Sequence, residues 1–537
     1  MASADLIIEH GDVLGLAGPG AAPQAVAIGA GRIVALGEAV EEWRAARTRV
    51  IDARGATVMA GIIDSHNHVR LGSSSRAVSL FGADSLEGIL ARLAHHVAAT
   101  PGGDWIEGDG WNYSALPDGR PHASMIDGVC AGRPAWLFSY DAHTVWLNRA
   151  AIERLGIRAA SPHLPFGDAE VLEGELTGWV HDFAVRGIHP VGQAYLEGFL
   201  PSYSLDAQYE RLVASLRDAA RFGITTVVEP QNGLGDLALF ERAHREGELT
   251  SRLIAAIIHT PDDGRDALDE IAERVASYRH DRIALGPVKL YIDDVIEPHS
   301  AAMLAPYANA PGRGDTFWAP EDFAELVVAL EERRLQAFVH ATGDRGIRTA
   351  LDAFAAARRR HGPLDTRHQV VHVECLDAAD VGRFASLGVV ACMQPRHCAP
   401  DITGEWRANV GPERERYAWA MRSLIDSGAC VAFSSDWNVA EMDPMIGLYS
   451  ACTRADLQGR DAWNELETVS LDQALHAYGP AGAWANFVDH ERGDLRVGRQ
   501  ADVVVLDGNL RSREPAQWLT TRVTHTIVDG EVVYEAD

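Results

Sequence analysis

Apolar residues recur along this chain in two rhythms. Between about 58 and 438, short runs rich in Val, Ile and Leu alternate with longer stretches whose apolar positions repeat at helical spacing. The short runs lie at 58–64, 224–229, 253–258, 287–292, 336–340, 369–372, 389–393 and 430–434. Near-continuous apolar strands of that length suit a parallel sheet buried on both faces. In the stretch 207–222, Leu212, Leu216, Ala219 and Ala220 mark an apolar helical face,. The stretch 320–334 opens on acids, which suits the positive end of a helix dipole,. Eight strands with helices between them predict an α/β fold, the (β/α)8 TIM barrel. An open doubly wound sheet is the alternative. The barrel is preferred because polar residues sit at the C-terminal ends of many strands, including the first and the last.

The second rhythm belongs to the chain ends. Short strands are expected at 5–9, 25–28 and 32–36, bounded by Gly11, Gly29, Gly31 and Gly37,. A strand at 501–507 and a hairpin over 524–534, turning at Asp529-Gly530, repeat the style at the other end,. Each half is too small for a core of its own, so the two are expected to pair into one small β-sandwich domain. The interval 70–206 fits neither rhythm and is too long for a structureless connection. It carries its own strand at 135–140 and reads as an α+β insertion over the barrel mouth. The expected division is therefore 1–55 with 489–537 as the small β-domain, 56–69 as the first barrel strand, 70–206 as the insertion, and 207–488 as the rest of the barrel.

Composition narrows the picture. At 47% apolar over 537 residues, a substantial core is possible,. No apolar run reaches membrane-spanning length. Met1-Ala2-Ser3-Ala4-Asp5 lacks a basic region followed by an apolar core, so no signal peptide is expected,. Six cysteines without CxxC pairing suit a reducing cytoplasm, where they serve as small apolar residues,. A net charge of −28 argues against nucleic acid and anionic membrane as partners and reads most simply as an acidic surface,. No phosphate loop and no dinucleotide fingerprint are present.

Candidate chemistry begins at Ser65-His66-Asn67-His68. On an extended strand, residues two apart share a face, so His66 and His68 can aim both imidazoles at one borderline-soft divalent ion. Alone the pair is weak, since histidines two apart also arise by chance. Lys289 lies within the apolar run Val288-Lys289-Leu290-Tyr291-Ile292, where a cation is costly to bury,. Either its tail reaches water or its chemistry is changed. His340, His372 and Asp436 stand at the ends of three further runs. One histidine at a strand end is ordinary. Histidines on three strands, a lysine on another and an aspartate after the last, all toward the face where barrel enzymes place their sites, point to a metal centre. Trp111, His143 and Trp146 in the insertion are candidates to line the pocket, with Trp146 equally suited to a core. His95-His96 reads as a solvated helix face, and Cys392 and Cys398, either side of His397, as core residues rather than a further metal site.

The order HxH, Lys, His, His, Asp resembles the metal-dependent amidohydrolase superfamily. The finer pattern is similar to its amidohydrolase-3 group, which includes YtcJ-like proteins and N-substituted formamide deformylases. Gly29-Ala30-Gly31-Arg32-Ile33 and Val50-Ile51-Asp52-Ala53-Arg54-Gly55 carry the likeness at the front. Gly108-Asp109-Gly110-Trp111-Asn112 and Asp141-Ala142-His143-Thr144-Val145-Trp146-Leu147-Asn148 carry it in the insertion, and Gly493-Asp494-Leu495 through Gly498-Arg499-Gln500-Ala501-Asp502 at the back.

The resemblance implies two divalent metal ions, zinc being the expected one. His66 and His68 would hold the first and His340 and His372 the second. Lys289 would be N6-carboxylated and bridge them. Asp436 would contact the first ion and shuttle a proton, with His372 the other catalytic candidate. A zinc-type ion lowers the pKa of its water to about 7. The implied reaction is hydrolysis of a carbon–nitrogen bond in an amide or an N-formyl or N-acyl amine. The same centre would also serve a deaminase, a lactonase or a carbamate hydrolase, and a non-catalytic barrel is the remaining alternative. A homodimer is a further implication. Two positions depart from the pattern. Trp437 follows Asp436 where the group often has a short residue and a proline, and it is expected to narrow the pocket. His181-Asp182 stands where a less polar helix start is expected.

Overall fold

The first apolar run of the barrel region is two strands rather than one. In the computed structural model, which describes residues 3–14, 24–72 and 77–536, Thr57–Ala60 joins a peripheral sheet and β1 (Ile62–Asp64) joins the barrel. Gly61 between them presses on Thr225, where a Cβ would come within 2.1 Å of the hydroxyl oxygen. Only glycine lets the backbone pass that close. Met1 and Ala2, part of the segment read for a leader, lie outside the described residues, as do 73–76 of the insertion.

The barrel continues through β2 (Ile224–Asn232), β3 (Arg252–Ile258), β4 (Ile283–Tyr291), β5 (Ala337–Ala341), β6 (Gln369–His372), β7 (Val390–Met393) and β8 (Cys430–Phe433). Neighbours in the sheet are neighbours in sequence, and every ladder is parallel. A doubly wound sheet would reverse its strand order at a switch point; this one does not. No ladder joins β1 to β8, but backbone bonds cross that seam. Ser65 N donates to Phe433 O at 3.3 Å and Asp436 N to His66 O at 2.9 Å.

The long helices on the outside each bury one face. The expected helices at 207–222 and 320–334 run over Leu205–Arg221 and Pro320–Glu332. Leu212, Leu216, Phe323 and Leu330 are fully buried, each worth roughly 1.5–3 kcal/mol of burial. Inside the barrel Ile63, Val228, Ile254, Phe338, Val371 and Cys392 pack together with Ala483 of the helix Pro480–Ala485.

The chain ends meet in two sheets. One holds Leu6–Glu9, Val26–Gly29, Arg32–Leu36 and Arg49–Asp52; the other holds Asp12–Val13, Thr57–Ala60, Val503–Leu506, Val523–Val528 and Glu531–Glu535. They share one apolar core that includes Ile8, Ile28, Ile33, Val58, Val503 and Ile527. The last hairpin turns through Asp529 (φ 57°) and Gly530 (φ 79°), both left-handed, as an Asp-Gly turn requires,.

Between β1 and β2 a seven-stranded sheet occupies Val78 to His181. Its strand Ala135–Ser139 pairs in parallel with Ile106–Trp111 and antiparallel with Val145–Leu147. Loops of this sheet reach the barrel mouth, where Gly110, Asn112, Tyr140 and Asp141 share a cavity with the barrel's polar strand ends. Among the described residues no helix is long and apolar enough to cross a membrane.

Candidate active site

Each barrel residue singled out by its place in an apolar run stands at the C-terminal mouth. Lys289 and His340 lie within β4 and β5, and His372 is the last residue of β6. His66 and His68 lie just beyond β1, not on an extended strand as expected, and Asp436 lies three residues past β8. The convergence survives that difference. His66 Nε2 and His68 Nε2 each stand 3.2 Å from Asp436 Oδ1. His372 Nδ1 is 3.7 Å from Asp436 Oδ2. The His340 ring centre is 4.5 Å from that of His372, and the His66 ring centre is 5.3 Å from it. Lys289 Nζ lies 4.7 Å from the Tyr291 ring.

The backbone is shaped to deliver these groups. His372 (φ 79°), Val373 (φ 50°) and Asp436 (φ 57°) are left-handed, an unfavourable conformation for residues other than glycine that is stored at sites of function,. Asp64 clamps the two loops at the seam. Its carboxyl accepts from Ser435 N (2.9 Å), Ser435 Oγ (2.6 Å) and Asn67 Nδ2 (2.8 Å). Gln394, just past β7, places its Oε1 3.0 Å from His372 Nδ1, while its amide nitrogen donates to Ser434 Oγ at 2.9 Å. That network puts the His372 proton on Nδ1 and leaves Nε2 as the free lone pair.

What marks the site is what is left without a hydrogen bond. Both ring nitrogens of His66, both of His340, Nδ1 of His68, Lys289 Nζ and Asp436 Oδ1 are buried without a hydrogen-bond partner. A buried polar group left so costs about 1–3 kcal/mol. Burial, with Lys289 nearby, pushes the His66 imidazole down to about 3, and burial holds His340 and His372 well below their ordinary value. Neutral imidazoles are the form a metal takes. Burial would push Asp436 up, but the imidazoles of His66, His68 and His372 facing it outweigh that and keep it well below the carboxylate range. Burial brings Lys289 down to about 7. Neutral nitrogens, one anionic oxygen and an amine able to become anionic form a donor set that fits divalent ions. His66, His372 and Asp436 present donor atoms within 4.8 Å of one another.

A cavity of about 640 Å3 opens over these groups. His143 lines it, with Nδ1 against the Asp294 carboxylate. Burial would lower this imidazole, but Asp294 raises it above its ordinary value. Trp437 also lines the cavity, bracing its indole nitrogen 3.5 Å from Ser215 Oγ. Trp111 does not. It is fully buried in the core of the seven-stranded sheet, donates Nε1 to Leu137 O at 3.0 Å and packs on Tyr113 and Trp146. Its expected contact with substrate is therefore corrected to a packing role. His181 packs against Trp179 with ring centres 4.2 Å apart and does not line the cavity. Cys392 and Cys398 are core residues, and His397 faces Glu374 and Asp436 instead. Asp64, Asp294 and Gln394 escaped the sequence reading as site residues. The available signal was that each follows a barrel strand or closes one.

A parallel eight-stranded barrel that gathers unpaired imidazoles, a lysine and an aspartate at its strand ends is the architecture of a barrel hydrolase. The chain belongs to the amidohydrolase family, whose model matches residues 49–534. The putative amidohydrolase YtcJ of Bacillus subtilis (strain 168) is 26% identical over 514 residues, covering 92% of each chain. The N-substituted formamide deformylase of Arthrobacter pascens is 26% identical over 555 residues, covering 99% of this chain and 98% of that one. The crystal structure of an uncharacterized metal-dependent hydrolase from Pyrococcus furiosus superposes with a TM-score of 0.71 at 23% identity, covering 95% of this chain and 99% of that one.

Proposed function

We propose that this chain is a metal-dependent hydrolase of carbon–nitrogen bonds, acting on an amide or an N-formyl or N-acyl amine of a small molecule. The observation that carries the reading is the set of buried donors without partners at the barrel mouth. The full-length likeness to an N-substituted formamide deformylase supports the bond type. Two divalent ions, zinc by preference, would be held by His66, His68 and Asp436 and by His340 and His372, with N6-carboxylated Lys289 between them. When bound, such ions activate water near neutral pH and polarise a carbonyl.

The chain's own residues do the rest. Burial leaves the Lys289 amine substantially neutral near pH 7, the form that adds to CO2 with loss of a proton. Asp436, kept ionised, accepts a proton from the attacking water and passes it to the leaving nitrogen, which cannot depart as an anion. His372 is held in one tautomer by Gln394. The cavity admits a small molecule, and Trp437 restricts its width beside Asp436. The test is a screen of metal-loaded protein against N-formyl, N-acyl and aryl amides, with products identified by mass. Acid and amine products support the reading. Ammonia from amino-heterocycles with no acid product would assign the site to a deaminase instead.

A further inference from the structure

We propose that a cavity beside the barrel floor, at the opposite end from the metal ligands, binds a small organic carboxylate with an apolar body, held by Arg492 and Arg499.

The cavity, about 520 Å3, lies where β7 and β8 begin and where the chain leaves the barrel for the small β-domain. That volume is in the range of small-molecule sites. Val389, just ahead of β7, and Cys430, the first residue of β8, form part of its wall. Three guanidinium groups line it, those of Arg492, Arg496 and Arg499, with Asp489 and Asp494 as the lining carboxylates. Both carboxylates are already engaged. Asp489 Oδ1 accepts from Arg367 Nη1 at 2.7 Å. Asp494 Oδ2 accepts from Arg496 Nε at 2.7 Å, and its Oδ1 stands 3.4 Å from Arg499 Nε.

Arg492 is what turns a basic wall into a site. It is only 8% exposed. Its Nη1 donates to the neutral amide of Gln500 at 2.6 Å, and its Nε is buried without a hydrogen-bond partner. The carboxylate oxygen that approaches Nη2, on the partly exposed Glu491, is 3.6 Å away, beyond a hydrogen bond,. Nearby Arg252 is held instead by both Asp502 and Asp529. Burial first, and then the Arg252 charge, bring Arg492 down to about 10. A buried cation without a full counter-charge is costly. An anion in the cavity would supply that charge through a strong, charge-assisted contact. The rest of the wall points to what carries the anion. Phe384, Val389, Ala481 and Trp484 are apolar. A bare inorganic anion would leave them uncovered, whereas a carboxylate on an aromatic or aliphatic body covers them as well.

The test uses 4-bromobenzoate with the full, metal-loaded chain. Crystals soaked in it are expected to show bromine anomalous scattering in this cavity, with the carboxylate on Arg492. Calorimetric titration at fixed ionic strength is expected to give a Kd of about 1 mM or tighter. Arg492→Gln is expected to weaken binding roughly 10- to 100-fold, the range for hydrogen bonds to a charged group, with bound metal unchanged. Arg499→Gln, at a more exposed side chain, is expected to weaken binding in the same direction, and it decides the matter if Arg492→Gln does not fold. Neutral 4-bromobenzyl alcohol is expected not to bind. Bromine found only at the metal centre overturns the assignment, as does an affinity unchanged in both variants or matched by the alcohol. Inorganic phosphate binding as tightly as 4-bromobenzoate overturns the carboxylate class and makes the cavity a simple anion site.

Discussion

The cationic and imidazole groups buried at the two ends of this barrel are partnered differently. At the N-terminal floor, Arg252 opens β3 between two carboxylates, with Nε 2.9 Å from Asp502 and Nη2 2.9 Å from Asp529. Gln336, just before β5, donates to Ala485 O at 2.8 Å. His368, just before β6, accepts from Ala337 N at 2.9 Å and meets Glu331 at 3.2 Å. At the C-terminal mouth, His66, His340, Lys289 and one oxygen of Asp436 are equally buried and have no hydrogen-bond partner. Satisfied groups hold a fold together; unsatisfied ones at the mouth cost stability that only a ligand returns. A polar residue at a strand end is thus informative about function only when its partners are counted.

Breaking the mouth should have the largest effect. Lys289→Ala is expected to lose bound metal and turnover together, and a short carboxylic acid is expected to restore part of both. Elemental analysis and activity on one preparation check this; retention of both would erase the difference between the two ends. Next is Asp436→Asn, which keeps size and one oxygen but removes the proposed base. Turnover is expected to fall by roughly two to four orders of magnitude with fold and metal largely intact. If more than about a tenth of turnover survives, outside that range, the proton carrier lies elsewhere, with His372 and Glu374 the next places to look.

At the floor the same logic predicts a different readout. Arg252→Ala strands Asp502 without its buried partner and is expected to cost about 3–5 kcal/mol of stability in denaturant titration, while kcat per folded molecule stays the same. A chemical defect without destabilisation would break the comparison from the other side. The smallest effect is sought at Trp437. Trp437→Ala is expected to change relative rates among amides of different width by about tenfold, or roughly 1.4 kcal/mol, with metal content unchanged. Steady-state rates on a graded acyl series measure it.

Much of the barrel is legible in sequence because its strands are apolar on both faces and end in polar residues. The run that ends at Asp64 misleads for the same reason. Both sides of Gly61 are apolar, so nothing in composition announces the passage between sheets; the close approach of Thr225 does. His66, His68, Lys289, His340, His372 and Asp436 could be read from position alone, since each follows or interrupts an apolar run. Trp111 could not be placed, because an aromatic at a strand end looks the same whether it faces a cavity or a core, and here the pleat turns it toward Tyr113 and Trp146. Gln394 and Asp294 act through other side chains, across 22 and 151 positions of sequence separation. No local pattern encodes such pairings.

The central claim is that the unpaired donors at the mouth are metal ligands, and counting metal tests it most directly. Purified, fully active protein is expected to carry up to two divalent ions per chain, with zinc foremost. Strong chelation is expected to abolish turnover, and returning the metal to restore it. Fully active protein in which elemental analysis finds no metal would contradict the account.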